Sequence, residues 1–426
     1  MEALDTHSLW IIAVFFIGYF FITIEHATKI DKATVALLMG IICWVIQFAY
    51  GVPACEDSLT CLGEHLSSIS QVIFFLLGAL AIVEVINIHK GFSIISDNIK
   101  VNSKRGLLWT IGILAFFLSA VLDNLTTTIV MITLLQKIVR DPEDRLLIGG
   151  GVVVAANAGG AWTPIGDVTT TMLWIGGEIS TFAVMRDLLA PSLVCFVVAF
   201  ACLSFMLKGD FAPNDIHVQN DELEPMGKLV FFLGIAALVF VPIFKIVTGL
   251  PPFMGVLLGL SVLWLVTDLI HSDTEERDHL RMSRALTRID FSGLLFFLGI
   301  LLAIDAMDAA KILEKLAYWL NHHIASISII ALFIGFASAV VDNVPLVAAT
   351  MGMYDLTQYP TDHPFWELVA YCAGTGGSIL IIGSAAGVVY MGLEKVNFYW
   401  YLKKISLPAL LGYLAGIGVY LMIFHH

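Results

Sequence analysis

Charge is scarce in this sequence. Of 426 residues only 13% are Asp, Glu, Lys or Arg, against roughly 25% in a soluble globular chain. That shortage excludes an ordinary cytosolic enzyme. The 58% hydrophobic content excludes disorder, which needs the opposite composition. Basic residues number 22, in no block that could cradle phosphates, and the net charge is −13. No nucleic-acid partner is therefore expected. Cysteine is also sparse. Cys43, Cys55, Cys61, Cys195, Cys202 and Cys372 include no pair at metal-ligand spacing with histidines nearby. Cys55 and Cys61 share one short loop, as a disulfide if that loop faces outside the cell or as two free thiols. The first residues lack a basic region and a cleavage site, so no cleavable signal peptide is expected. No glycine-rich nucleotide loop supports an ATP-driven pump.

What the chain has instead is long apolar runs, with a mean hydropathy of +0.89. Ten read as single membrane crossings, at roughly 9–25, 33–50, 67–89, 146–177, 188–207, 228–248, 251–271, 291–309, 365–393 and 405–425. Two more do not fit one crossing. Segment 106–139 has 34 residues, about 51 Å as one helix, against a hydrocarbon layer of about 30 Å. Segment 324–352 is similar. Each carries an Asp-Asn pair near its middle, Asp123-Asn124 and Asp342-Asn343. A polar break in an overlong apolar run predicts a re-entrant hairpin surrounded by protein or water. Treating both as hairpins puts 18 of the 22 basic residues on one side, leaving Arg186, Lys245, Lys311 and Lys315 on the other. The basic side is then the inside, with both termini outside. Making both segments full crossings places the Arg277–Arg288 loop outside, a worse fit to the same rule.

The halves resemble each other in three ordered blocks. Phe75–Glu84 matches Phe296–Asp305 at an offset of 221. Phe117–Asn124 matches Phe336–Asn343 at 219, and Asn157–Gly166 matches Gly374–Gly383 at 217. Each half holds five crossings and a hairpin. Because five is odd, the second half is inverted relative to the first, a plan that puts a transport site at the repeat interface near the midplane. The expected fold is an all-α polytopic membrane protein of about ten transmembrane helices plus two re-entrant hairpins. Its two inverted five-helix repeats with broken helices cover 1–207 and 228–426, joined by an inner-side linker at 208–227.

Carboxylates inside apolar segments are the main chemical clue. Glu84, Asp123, Asp167, Asp305, Asp308 and Asp342 lie in such runs with no Lys or Arg nearby in the same segment. An ionised group at the bilayer centre costs roughly 2.5–3.5 kcal/mol on insertion scales. Carboxylates without basic partners must take up protons or metal cations, so these residues point to a proton- or cation-coupled pathway. The bland alternative, a helix cap at the membrane surface, weighs most for Asp308, then for Glu84 and Asp305. The glycine-rich breaks are the second clue. In Asn157-Ala-Gly-Gly-Ala-Trp-Thr-Pro-Ile-Gly-Asp167, a half-helix should end at Gly159-Gly160 and a new one start at Pro164, capped by Thr163. Freed carbonyls at 155–160 would then face a bound cation. The matching break Gly374–Ser378 keeps the glycines but has Ser384 where the first has its acid. Thr126, Thr127 and Thr128 could add hydroxyls or merely pack.

The Asp-Asn pairs, the Asn157–Asp167 block, Ile30–Gly40 and the inverted plan together resemble the ion-transporter superfamily, and within it the NhaD-type sodium/proton antiporters. The resemblance spans nearly the whole chain. It implies exchange of Na⁺, and also Li⁺, for H⁺ by alternating access, with no cofactor and no enzymatic activity. The transported partners would be monovalent cations and protons. It implies a bacterial inner membrane, a role in pH homeostasis, and an ion site of Asp123, Asn124, Thr126, Asn157, Thr163, Asp167, Asp342 and Asn343. Glu84 and Asp305 are the candidate proton relay, and His26 and His89 the candidate pH sensors. A homodimer is compatible with this plan. Arsenite and dicarboxylate carriers of the same fold stay open as alternatives, and an intramembrane aspartyl protease using Asp123 and Asp342 is a remote one.

Overall fold

The computed structural model describes residues 5–23, 25–50, 58–96, 103–207, 209–211, 223–271, 279–324 and 326–424. It is helical, with nine helices among the described residues long and apolar enough to cross a membrane. The first half runs α1 (Thr6–Thr23), α2 (Lys32–Tyr50), α3 (Ser58–Ile88), α4 (Lys104–Leu122), α5 (Asn124–Ile138), α6 (Pro142–Gly160), α7 (Val168–Gly176) and α8 (Thr181–Met206). The second runs α9 (Gly227–Thr248), α10 (Pro252–His271), α11 (Phe291–Ala309), α12 (Ile312–His323), α13 (Ile327–Ser338), α14 (Asn343–Met353), α15 (Pro364–Gly376), α16 (Ala385–Glu394) and α17 (Ser406–Phe424). Apart from α12, the order of long helix, hairpin and broken helix is the same in both.

Both overlong segments fold back on themselves. Lys104 at the start of α4 pairs with Asp144 just beyond α5 at 2.5 Å, so the chain returns to the side it left. In the second half, the Tyr354 hydroxyl after α14 donates to Asn321 ahead of α13 at 3.2 Å. Each turn is an acid that caps the returning helix. The Asp123 carboxylate accepts from Thr126 N at 2.7 Å, and Asp342 from Val344 N at 3.5 Å.

The two breaks in the crossing helices fall where the glycines are, with one correction. Helix α6 ends at Gly160, but the next half-helix begins at Val168 rather than at Pro164. Thr163 does not cap it. Its hydroxyl donates to the Ala120 carbonyl at 2.7 Å, filling an acceptor at the end of α4. Asp167 is the cap, accepting from Thr169 N at 2.9 Å and Thr169 Oγ1 at 2.8 Å. The freed carbonyls are also less free than expected. Ser119 donates to Ala156 O at 2.6 Å, Ala161 N to Asn157 O at 3.2 Å, and in the other half Ser338 donates to Ala373 O at 2.7 Å. Within a bilayer such polar backbone must find internal partners.

Close glycine contacts hold these pieces together. A Cβ on Gly159 would lie 2.1 Å from the Phe116 carbonyl of α4, and one on Gly376 would lie 2.3 Å from the Gly335 carbonyl of α13. Small residues let membrane helices approach to backbone distance. Gly40 and Gly299 do the same for α2 and α11.

Three other differences from the sequence reading have simple causes. Helix α3 starts at Ser58, and α8 at Thr181, because Glu64-His65 and Arg186-Asp187 interrupt the apolar runs and hide the turns before them. Helix α12 is an addition: Lys311, Glu314 and Lys315 hide it from an apolar-run search. Ile312, Leu313 and Ala317 are buried while Tyr318 and Trp319 are exposed, as in a helix lying along a membrane surface. The 51–57 loop with Cys55, the Cys61 side chain and most of the 208–227 linker lie outside the described residues.

Candidate functional site

The two hairpin tips and the two helix breaks meet at one buried point. Asp167 is 1% exposed there. The Asn124 amide, from the first tip, donates to Asp167 Oδ2 at 2.6 Å and to Asn157 Oδ1 at 2.9 Å. The Asn343 amide, from the second tip, donates to both Asp167 oxygens at 3.4 Å. Asn157, wholly buried, in turn donates to Ser378 Oγ at 2.8 Å and Ser384 Oγ at 2.9 Å across the break of the second half. One carboxylate therefore ties together four chain breaks from both halves.

Of the expected site residues, Asn124, Asn157, Asp167 and Asn343 are brought into direct contact. Asp123 and Asp342 flank this group as caps rather than sitting within it. They are not equivalent. Asp123 has φ 92° and ψ 160°, a backbone region populated essentially by glycine, costing on the order of 1–3 kcal/mol. Its carboxylate is held by Thr126, both N and Oγ1, the latter at 2.9 Å. Asp342 has φ −48°, and its N–H donates to the Tyr19 hydroxyl of α1 at 3.1 Å. Thr127 and Thr128 are buried, and Thr128 donates to Asn124 O at 2.8 Å, a packing role. Thr163 braces the α4 end instead of facing the centre. Sequence reasoning missed Ser378 as a contact, because it comes from the break of the other half, 221 positions away from Asn157.

A cavity of about 290 Å³ runs between α3 and α5 down to Thr126. That is room for on the order of ten waters. Its mouth carries Lys90, Lys137 and Arg288, and Glu84 lies on its wall with Asn87 donating to it at 3.2 Å. In the corresponding place of the second half, α11 packs directly on α14. There Asp305, the counterpart of Glu84, meets His65 Nδ1 at 3.4 Å. Asp308 lies beside Gly352 of α14, away from the Asp167 centre. His89 is buried, its Nδ1 on Val85 O at 2.8 Å and its Nε2 3.0 Å from His271 Nε2. The His26 side chain lies outside the described residues. The described residues contain no group of three or more His, Cys, Asp or Glu suited to a resident metal ion.

A family of sequences described as citrate transporter matches residues 18–374. Sodium/proton antiporter 1 of Arabidopsis thaliana is 52% identical over 413 residues, 96% of this chain and 71% of the relative. Sodium/proton antiporter 2 of the same plant is 51% identical over 415 residues, 96% of this chain and 98% of the relative. The Na⁺/H⁺ antiporter NhaD of Vibrio cholerae is 29% identical over 471 residues, covering 100% of this chain and 94% of that one. These relatives come from both a plant and a bacterium.

Proposed function

Because the chain belongs to the citrate transporter family, whose members move solutes across membranes rather than catalyse reactions, we propose that it exchanges Na⁺ for H⁺. The relatives named sodium/proton antiporters support this over citrate. So does the site chemistry. A citrate ion would meet Asp123, Asp167 and Asp342, with no arginine at the helix breaks to hold it. The observation that carries the proposal is the single buried carboxylate, Asp167, held between amides from both hairpin tips.

In this reading Na⁺, or Li⁺, and H⁺ compete for one centre. With no cation bound, the Asn124 and Asn343 amides solvate Asp167 as donors. Turning those amides offers their oxygens to a cation, together with Asp167 and Asn157. Thr126 and Asp123 link the centre to the cavity, whose basic mouth is the inner side by the positive-inside rule. Glu84 hands protons along the cavity wall, and Asp305 is its outer counterpart. The halves 1–207 and 228–426 act as inverted repeats, and opening alternates between the α3–α5 gap and its α11–α14 counterpart. Occupants that exclude one another at one alternating site give obligatory exchange.

The test is a pH-gradient dye assay in everted vesicles, adding Na⁺, Li⁺ and K⁺ in turn. The wild type should release a preformed gradient with Na⁺. Asp167→Asn should show no more than vesicles lacking the protein, at equal membrane content. Normal exchange by Asp167→Asn would place the ion elsewhere.

A further inference from the structure

Lys245 is one of the four basic residues that the charge pattern sets apart from the rest. Its neighbours on α9 face outward, with Ile246 68% and Val247 76% exposed. Its own side chain turns inward. The ammonium donates to the Trp174 carbonyl at 2.5 Å and lies 4.3 Å from the centre of the wholly buried Trp174 ring. A charge-assisted hydrogen bond and an aromatic face thus hold the same cation. Trp174 belongs to the last turn of α7, whose head is Asp167. The N–H groups of Gly177, Glu178 and Ile179 all donate to Leu173 O, at 3.1, 2.9 and 3.4 Å. The next carbonyl, Trp174 O, takes its donor from Lys245, and a cation there suits the negative end of the helix. A Cβ on Gly227, the first residue of α9, would lie 2.7 Å from His89 O, near the cavity mouth. Lys245 is 18 residues further along α9, about 27 Å away, so it lies on the side opposite that mouth.

The end of α7 that Lys245 holds is packed on the second hairpin. A Cβ on Gly176 would lie 2.7 Å from Met351 Cε of α14, and one on Gly352 would lie 3.4 Å from the Asp308 carboxyl of α11. Thr361, between α14 and α15, donates to Gly177 O at 2.7 Å. Opening the α11–α14 gap moves α14 away from α11, and the end of α7 goes with α14. Helix α9 packs on α10, α3 and α4. The Lys245–Trp174 bond therefore spans the boundary along which that side would open. The other half is built differently. The matching half-helix, α16, is held at its end by Arg145 of α6 on Glu394 and by Gln136 of α5 on Leu393 O at 3.2 Å. Both partners belong to the first half's own hairpin and broken helix. Helix α1, which corresponds to α9, contains no Lys or Arg. One half-helix is thus tied to the elements around the site, and the other to a peripheral helix.

We infer that Lys245 is a positioning residue that latches the far end of α7 to α9 and keeps the α11–α14 side of the exchange path closed while the α3–α5 cavity is open. The latch must release each time access changes sides, so its strength sets how the protein divides between the two. This rests on the antiport reading above. It predicts that removing the ammonium shifts the protein toward the conformer open at α11–α14.

The experiment measures how fast a charged thiol reagent labels M351C, on the α14 side chain facing Gly176, and T133C, on the cavity wall. The protein sits in nanodiscs, which leave both faces open to the reagent, without Na⁺. Each cysteine variant is read with Lys245 intact, with K245M and with K245R. K245M should raise the M351C rate about tenfold, the worth of one charge-assisted hydrogen bond, and lower the T133C rate. K245R keeps a charged donor and should label as the intact latch does. A merely structural role for Lys245 would loosen the fold and raise both rates together. If K245M is too unstable to purify, K245Q, which keeps a donor without the charge, should give the same opposed shifts at smaller size. Rates that ignore the loss of the ammonium, rates that rise together, or K245R behaving as K245M overturn the inference. A wild type that moves no protons with Na⁺ in proteoliposomes overturns the antiport reading itself and this inference with it. That result is distinct from an exchanging wild type whose labelling ignores K245M.

Discussion

Gly159→Ala adds one methyl group at the most crowded contact of the candidate site. The new Cβ would sit 2.1 Å from the Phe116 carbonyl oxygen, 2.7 Å from its carbon and 2.8 Å from its Cα. All three are backbone atoms, so no side chain can rotate away. Ordinary contact needs about 3.5 Å, so α4 and α6 must separate by roughly 1.4 Å there. Helix α4 leads into Asp123, and Asn157 stands two residues before Gly159. A 1 Å misplacement of reacting groups costs on the order of 10²-fold in rate, and that is the expected loss of sodium-driven proton flux. Gly376→Ala, 2.3 Å from Gly335 O, should cost about as much from the other half. Gly392→Ala is the control: nothing lies within 4 Å of its Cβ, and alanine gains roughly 0.5–1 kcal/mol in a helix. The assay is dye-reported flux per unit of protein, beside a melting curve in detergent. If Gly159→Ala kept more than half the wild-type flux, the site could not depend on the α4–α6 contact as argued.

Two other outcomes can be checked directly. Ser283 is exposed beside Arg281 and Arg284, so a cysteine there should react with an impermeant thiol reagent in everted vesicles and stay unlabelled in intact cells. Labelling from outside would reverse the sidedness. Arg145→Ala leaves Glu394, whose side chain is 3% exposed, without the guanidinium that contacts it at 2.9 and 3.0 Å. A loss of about 3 kcal/mol is expected, read as a lowered melting temperature, and an unchanged melt would show that the pair between α6 and α16 carries no stability.

Most of the architecture could be read from the sequence, because membrane-spanning segments announce themselves by length and apolarity. The hairpins followed from a length mismatch, and Asp123 and Asp342 marked their tips. The break after Gly160 was legible, but its far side was not. Thr163-Pro164 is a good helix start by local chemistry, yet the Ala120 carbonyl, brought there by folding, takes the threonine hydroxyl and leaves the cap to Asp167. Local rules see only neighbours in sequence. Which acid would stand at the centre was equally hidden, because it depends on where Asn124 and Asn343 point.

The meeting of chain breaks has an electrostatic consequence. Four helices end at this point, α4, α6, α13 and α15, and four begin, α5, α7, α14 and α16. Each terminus carries about half an elementary charge, negative at a C-terminal end and positive at an N-terminal one. Four of each cancel. The helix dipoles therefore give the centre local direction but no net charge, and its valence is set by side chains alone. Three aspartates, Asp123, Asp167 and Asp342, contribute negative charge. These charges are balanced by protons or by a metal cation with protons, and the slope of the apparent KM for Na⁺ against pH counts how many of them are protons.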